Sequence, residues 1–414
     1  MPNPPRRVLF IVSAYQRSHG DVVTPWLNAT IVELGRIGID VEVLAPAFHG
    51  SPSHTIDGVR VHRFRYAPAS CEMLSHDAPI PSQLSARPLR TALVPGYVLA
   101  SSVEATRLAC SGRFDALHAF WPIPHAVPAM LARRVTGVPL VSTFFGAELH
   151  WLASKHRFMR HVVRAIVRQS DAVTAISTFA AEALTTIAPE ARPTIVPFGA
   201  AVAPSRAVSD EGLRATTPND RARFVFVGRL VARKGVDVLL RAVALLRSSV
   251  DARPCGPTLT VVGDGEDRAK LQASAQSLGI ADRVTFAGYV SRTELDTILR
   301  GCAALVLPAV PHPVLGTEGL GVAIIEAMSY GRAVIASDTG GIRDVVLHER
   351  TGLLVPPGDA TALAAAMQRL LEDESLAPRL GNAGEAYIRA HFSWPAITEA
   401  LRDVYIRALG ARRQ

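Results

Sequence analysis

From Arg7 almost to the C-terminus, short β-branched runs alternate with amphipathic segments of helical length, and this alternation constrains the fold more than any other feature of the chain. A strand followed each time by a helix is carried across before the next strand begins, so the strands run parallel with helices on both faces. In the first half the strand candidates are Val8–Val12, Val41–Leu44, Val59–Phe64, Ala116–Ala119, Leu140–Thr143, Ala172–Ala175 and Thr194–Val196. In the second they are Phe224–Val227, Leu259–Val262, Val284–Phe286, Ala304–Leu307, Ala333–Ala336 and Gly352–Val355. Between the sets, Gly199–Arg221 is rich in Ala, Pro, Ser and Thr and poor in large apolar residues, as a linker is. At 414 residues the chain exceeds a single core. Each half therefore reads as its own doubly wound α/β sheet, with the cleft between them as the expected ligand site.

Every apolar stretch is interrupted by Arg, Asp, Glu, Gly or Pro before the roughly 20 residues that a bilayer span needs. The first residues run straight into a strand with no apolar leader, so a cytoplasmic location is expected. Cys71, Cys110, Cys255 and Cys302 form no CxxC pair and read as reduced thiols. The net charge is +8, of which residues 1–200 contribute +6 (19 Arg and Lys against 13 Asp and Glu). Such a field attracts polyanions: nucleic acid, an anionic membrane surface or a phosphate-bearing small molecule.

Three motifs discriminate among these. Phe224–Gly235 is a strand that breaks at Gly228 into a loop carrying Arg229, Arg233 and Lys234, one of only three lysines in the chain. Cations at the C-terminal end of a parallel strand are placed to neutralise charge on a phosphate leaving group. Further on, Thr317–Ala327 carries Glu318, Gly319, Leu320, Gly321 and Glu326. With a helix starting near Gly319, the first-turn N–H groups would face an anion, and the two carboxylates, about two turns apart, would share a helix face where they could grip vicinal hydroxyls. The third, Val262-Gly-Asp-Gly265, lacks the last glycine of a dinucleotide fingerprint. The sequence contains no DxD carboxylate pair, HExxH, Walker lysine loop or GxSxG, which removes the main supports for metal-dependent, ATP-hydrolysing and serine-hydrolase chemistry.

Taken in order, Gly228-Arg229…Lys234-Gly235, Val262–Gly265, Gly288-Tyr289-Val290, Glu318–Gly321…Glu326 and Gly340-Gly341…Gly352 resemble the second domain of family 4 retaining glycosyltransferases. Ser18–Asp21, Asp57–Arg60, His118–Pro122 and Thr143–Glu148 agree more loosely with the first. The resemblance implies the GT-B architecture: two Rossmann-like doubly wound domains facing each other across a cleft. The expected bounds are 1–200 for the acceptor-side domain and 201–392 for the nucleotide-sugar domain, with a C-terminal helix, 393–414, crossing back to the first. It further implies that Arg229 and Lys234 hold the donor diphosphate and that Glu318 contacts the donor sugar. Glu326 would bind the ribose, the backbone of Gly319–Gly321 would support sugar and phosphate, and Gly288, Tyr289 and Val290 would flank the base. Gly228 and Gly265 belong to the same donor surface, and Gly20, in the loop matching His19–Asp21, allows close approach to the donor.

One departure concerns the acceptor. Many members have His where this chain has Phe145, which leaves Glu148, His150 or His118 to take over its hydrogen bonding. No acid lies between Glu148 and Asp171, while Lys155, Arg157, Arg160, Arg164 and Arg168 accumulate on an amphipathic helix. Its basic face is either solvated or set against anionic lipid at about 1 kcal/mol per residue; Leu89–Ala100, with Tyr97, would add apolar contact. The expected activity is retaining hexose transfer from a nucleotide sugar, UDP ahead of GDP, to a hydroxyl of a glycolipid or polysaccharide intermediate, with no metal or other cofactor and no nucleic-acid partner. The alternatives are a small-molecule acceptor, a nucleotide-sugar epimerase, a phosphorylase and a non-catalytic sugar-nucleotide sensor.

Overall fold

A computed structural model of the chain describes residues 4–19, 21, 23–75, 80, 83–84, 87–146, 148–149, 157–200, 222–246, 256–312 and 316–411. The candidate linker, apart from Gly199 and Ala200, lies outside them, as do Gly20, His150, Lys155 and Cys255. The chain divides into two compact bodies: Met1–Gly199 with Trp394–Gln414, and Ala200–His312 with Thr317–Ser393.

The first body is built on eight strands: β1 (Arg7–Ile11), β2 (Asp40–Pro46), β3 (His54–Ile56), β4 (Val59–Phe64), β5 (Ala116–Phe120), β6 (Leu140–Phe144), β7 (Ala172–Ala175) and β8 (Thr194–Ile195). Their order across the sheet is β3-β4-β2-β1-β5-β6-β7-β8, parallel throughout except for the β3/β4 hairpin. Covered by helices on both faces, the central strands are apolar at nearly every position, and Leu9, Ile11, Leu117 and Phe144 are fully buried. The hairpin turns at Asp57-Gly58, both at positive φ (49° and 82°), which suits the Asp-Gly pair.

The C-terminal helix Trp394–Gly410 packs within this body. Tyr405 shares a 2.7 Å hydrogen bond with His118 Nδ1, and Arg407 donates to Thr194 Oγ1 at 3.0 Å. The Trp394 ring lies so close to Gly199 that a Cβ there would meet it at 2.8 Å.

The second body carries β9 (Arg223–Val227), β10 (Thr258–Val262), β11 (Val284–Gly288), β12 (Ala304–Leu307), β13 (Ala333–Ser337) and β14 (Leu353–Val355), all parallel, in the order β11-β10-β9-β12-β13-β14. Several helices declare their starts in sequence: Ser291 and Glu294 form a capping box before Arg292–Arg300, and Asp359 caps Ala360–Glu372.

Both sheets reverse their winding once. In the first, β2 lies on one side of β1 and β5 on the other; in the second, β10 and β12 flank β9. Ligands of open parallel sheets bind outside the carboxyl ends of the strands at such a switch point. The loops after β1 and β5, and after β9 and β12, are therefore where functional residues should collect.

Candidate functional site

The loop after β9 is shaped by its neighbours' lack of side chains. Gly235, at φ 65°, presses against Pro308 of the loop after β12, and a Cβ there would sit 2.0 Å from the Pro308 carbonyl oxygen. Gly265 likewise leaves room for the Leu230 carbonyl, which a Cβ would approach to 2.3 Å. The Leu230 N–H donates to the Asp264 carbonyl and the Val310 N–H to the Arg233 carbonyl, each at 2.9 Å. Three loops thus fix Arg229, Arg233 and Lys234 at the switch point.

Glu318 completes the cluster. Lys234 Nζ donates to its Oε2 at 2.6 Å and Arg233 Nη1 reaches the same oxygen at 3.3 Å. Its backbone is held by the Gly341 N–H, which donates to the Glu318 carbonyl at 3.0 Å, and Thr317 shares a 2.8 Å hydrogen bond with Thr339. Gly340, at φ 57°, makes that approach possible: a Cβ would lie 2.1 Å from the same carbonyl. Burial works to raise the Glu318 carboxyl, but Lys234, Arg233 and Arg229 outweigh it and hold the group down at about 2. Lys234 shifts down as well, because burial and two neighbouring guanidiniums together exceed the pull of one carboxylate. Burial also lowers Arg229. Three cations against one anion leave a formal +2, the charge that a diphosphate diester would balance. Arg233, in the sequence only one member of the basic loop, is here a direct partner of Glu318.

The two carboxylates do not share a helix face. The helix after β12 begins at Val322, behind Gly321 in the left-handed region (φ 81°), so Glu318 belongs to the preceding loop and only Glu326 lies on the helix. Glycines at 319 and 321 let the chain turn three residues later than apolar periodicity suggests. Glu326 and Leu320 are buried, so at Leu320 the backbone is what a ligand would meet. At the end of β11, Gly288 (φ 71°) lies against the Arg268 guanidinium, which is held by Asp264 and the Phe286 carbonyl. Tyr289 is exposed, whereas Val290 packs on the core beside Val262 and Cys302.

In the first body His118 is fully buried and cannot serve an acceptor. Burial pushes its imidazole down to about 3, and both ring nitrogens are engaged, Nδ1 with Tyr405 and Nε2 with Thr143 Oγ1 at 2.6 Å. Thr143 continues to Thr174 at 2.5 Å, so this neutral histidine ties the C-terminal helix to β5, β6 and β7. Phe145 stacks on Trp121, with ring centroids 4.3 Å apart. Glu148 accepts the Phe145 N–H at 2.7 Å through Oε1, and its Oε2 has no hydrogen-bond partner among the described residues. Burial raises its carboxyl to about 7.

The basic helix, Arg157–Gln169, is only partly a free surface. Arg164 donates to the Ile187 carbonyl and Arg168 pairs with Glu190, both within this body. Val163 and Ile166 are buried, whereas Phe158 is 73% exposed, near the exposed Arg160 on the same helix. Tyr97 is buried and bonded to His125, so it offers no surface contact; Leu89 and Leu99 are exposed. No described helix is long and apolar enough to cross a membrane.

Two doubly wound parallel sheets, the second with a cationic cradle at its switch point, define a glycosyltransferase of the GT-B class. The family profile for glycosyl transferases group 1 matches residues 213–387, and that for the glycosyl transferase 4-like domain matches 25–199. Over 290 residues the chain is 31% identical to a GDP-mannose-dependent alpha-(1-6)-phosphatidylinositol monomannoside mannosyltransferase of Mycolicibacterium smegmatis, covering 66% of this chain and 71% of that one. Among solved structures, sucrose-phosphate synthase from Thermosynechococcus elongatus aligns with a TM-score of 0.73 at 22% identity over 97% of this chain and 98% of that one. Anabaena HepE, in complex with UDP and glucose, aligns at 0.66 and 19% over 96% and 98%. The chain belongs to the group 1, family 4-like glycosyltransferases.

Proposed function

We propose that this glycosyltransferase moves a hexose from a nucleoside-diphosphate sugar to a hydroxyl with retention of anomeric configuration and without a metal ion. The observation that carries this reading is the +2 cradle of Arg229, Arg233, Lys234 and Glu318 at the switch point of the second sheet. In the reaction the bond between the anomeric carbon and the β-phosphate oxygen breaks, leaving the electron pair on phosphate. The acceptor oxygen bonds to that carbon from the same face, and its proton passes to the departing phosphate oxygen. Arg229, Lys234 and the first-turn N–H groups of Val322–Ser329 stabilise the charge as it develops. Protein cations thus supply what a divalent ion would otherwise provide, and turnover should survive EDTA.

Glu318 takes the donor-sugar contact and Glu326 the ribose, with the backbones of Gly319–Gly321 and Gly288–Val290 beside sugar and base. GDP-mannose comes first among donors to test, since the relative at 31% identity is named for it; UDP-hexoses, the expectation from sequence, come second. The acceptor is a hydroxyl of a glycolipid or saccharide. Arg160 and Phe158, with Leu99, Val103, Val127 and Leu131 exposed on neighbouring helices, form a face suited to anionic lipid.

The test is release of nucleoside diphosphate from a donor panel with and without saccharide and glycolipid acceptors. Acceptor-dependent release with a new glycoside is expected. Turnover without acceptor that interconverts the donor sugar would indicate an epimerase, dependence on inorganic phosphate a phosphorylase, and binding without any release a sensor.

A further inference from the structure

The first sheet has its own switch point, between β1 and β5, and the loops there collect aromatic rings and unsatisfied polar atoms. Trp26 opens the helix after the β1 loop, Trp121 follows β5, and Phe145 follows β6. The Trp26 ring lies 5.5 Å from Trp121, 5.7 Å from Phe145 and 4.0 Å from Phe198, centroid to centroid. Phe145 and Phe198 are buried, while Trp26 and Trp121 remain partly accessible at the rim. Thr24 and Trp121, each just before a proline, both sit at positive φ (50° and 49°), holding the two loops in conformations that side chains rarely adopt.

On the same loops, three buried polar atoms lack a hydrogen-bond partner among the described residues: Gln16 Oε1 and Thr24 Oγ1 in the loop after β1, and Glu148 Oε2 in the loop after β6. Gln16 and Glu148 are 5% and 6% exposed. Buried polar groups are nearly always paired, so unsatisfied ones at one sheet edge point to a polar ligand. A ligand that needs both an aromatic plate and several hydrogen-bond partners is a polyhydroxylated ring, whose axial C–H face is apolar and whose rim is hydroxyl.

We propose that Trp121, backed by Phe145, forms a stacking plate for a pyranose or cyclitol ring of the acceptor, that Trp26, edge-on to Trp121 at 67°, walls its side, and that Gln16, Thr24 and Glu148 take its hydroxyls. This rests on the transferase reading and gives the acceptor its chemical class. It also gives Phe145 a task that histidine would not perform as well: an apolar ring packs flat on Trp121 and keeps that plate in place.

The test uses the full chain with methyl α-D-mannopyranoside, methyl α-D-glucopyranoside and myo-inositol, read by saturation-transfer NMR and tryptophan fluorescence. Thermal shift with GDP and UDP is recorded on the same samples. At least one ring compound should bind, with saturation strongest on one ring face. Trp26→Leu and Trp121→Leu should each weaken it about tenfold while leaving the nucleotide shift at its wild-type size. Gln16→Met, which preserves volume, should weaken it severalfold and decides the matter if the tryptophan variants do not fold. Absence of any signal on the wild type at about 100 mM ligand, or unchanged affinity in the folded variants, overturns the proposal. A missing nucleotide shift alongside intact ring binding would instead overturn the donor assignment and leave the platform standing.

Discussion

Replacing Glu318 by Gln removes the carboxylate that pairs with Lys234 and Arg233, and with it the one negative charge that a bound diphosphate would meet in the proposed site. In the folded protein its carboxyl is held at about 2, against 4.5 for an unperturbed glutamate. A depressed acid stabilises the fold above its unfolded pKa and loses that contribution as pH falls from about 4.5 toward 2. At about 1.4 kcal/mol per pH unit, the difference amounts to about 3 kcal/mol at neutral pH. For a body of this size, Glu318→Gln should lower the melting temperature by about 10 °C at pH 7. The formal charge of the cradle simultaneously rises from +2 to +3, so a nucleoside diphosphate should bind the variant about tenfold more tightly and restore most of the lost stability. Differential scanning fluorimetry with GDP and UDP, titrated on both proteins, reads both quantities. A variant that melts with the wild type, or whose nucleotide affinity falls, would contradict this electrostatic role of Glu318.

Glu148 offers the opposite sign. Burial raises its carboxyl from 4.5 to about 7, so the wild type loses stability as pH climbs through that window, while Glu148→Gln, neutral throughout and still able to accept the Phe145 N–H, does not. The variant should gain about 3 kcal/mol over the wild type at pH 8 and under about 1 kcal/mol at pH 5, as measured by urea unfolding. For the face proposed to meet anionic lipid, the double variant Arg160→Glu, Phe158→Ser should lose cosedimentation with vesicles containing anionic lipid and retain turnover on a water-soluble acceptor. Undiminished vesicle binding would mean that this face is merely solvated.

The strands were legible because parallel strands buried on both faces are written as continuous apolar runs. Ala304–Leu307, Val59–Phe64 and Ala172–Ala175 end where the residue types change. The edge strand β3 was not, since His54-Thr55-Ile56 is short and half exposed, although the Asp57-Gly58 pair beside it is a hairpin signal. The cationic loop could be read from Gly228–Gly235, but the start of the helix after Glu318 could not. Two glycines flanking Leu320 permit several ways of turning; the left-handed residue is Gly321, where a Cβ would meet Ile324 at 3.0 Å and Leu307 at 3.4 Å, neighbours that no local pattern reveals. His118 shows a different limit: a histidine beside a motif looks functional until a tyrosine 287 residues later in the chain is found to share its hydrogen bond. Nothing local encodes that partner, nor the exposure of Phe158 within an otherwise well-formed amphipathic pattern.

Binding of a sugar donor's diphosphate in the cradle can be read by thermal unfolding of the wild type and Lys234→Ala with GDP, UDP, NAD and panels of GDP- and UDP-sugars. Ligand at about 100 times its dissociation constant stabilises by roughly 2.7 kcal/mol. One nucleoside-diphosphate series should give a shift that is lost in Lys234→Ala while the variant remains folded. No shift with any sugar nucleotide, or a shift with NAD alone, would contradict it.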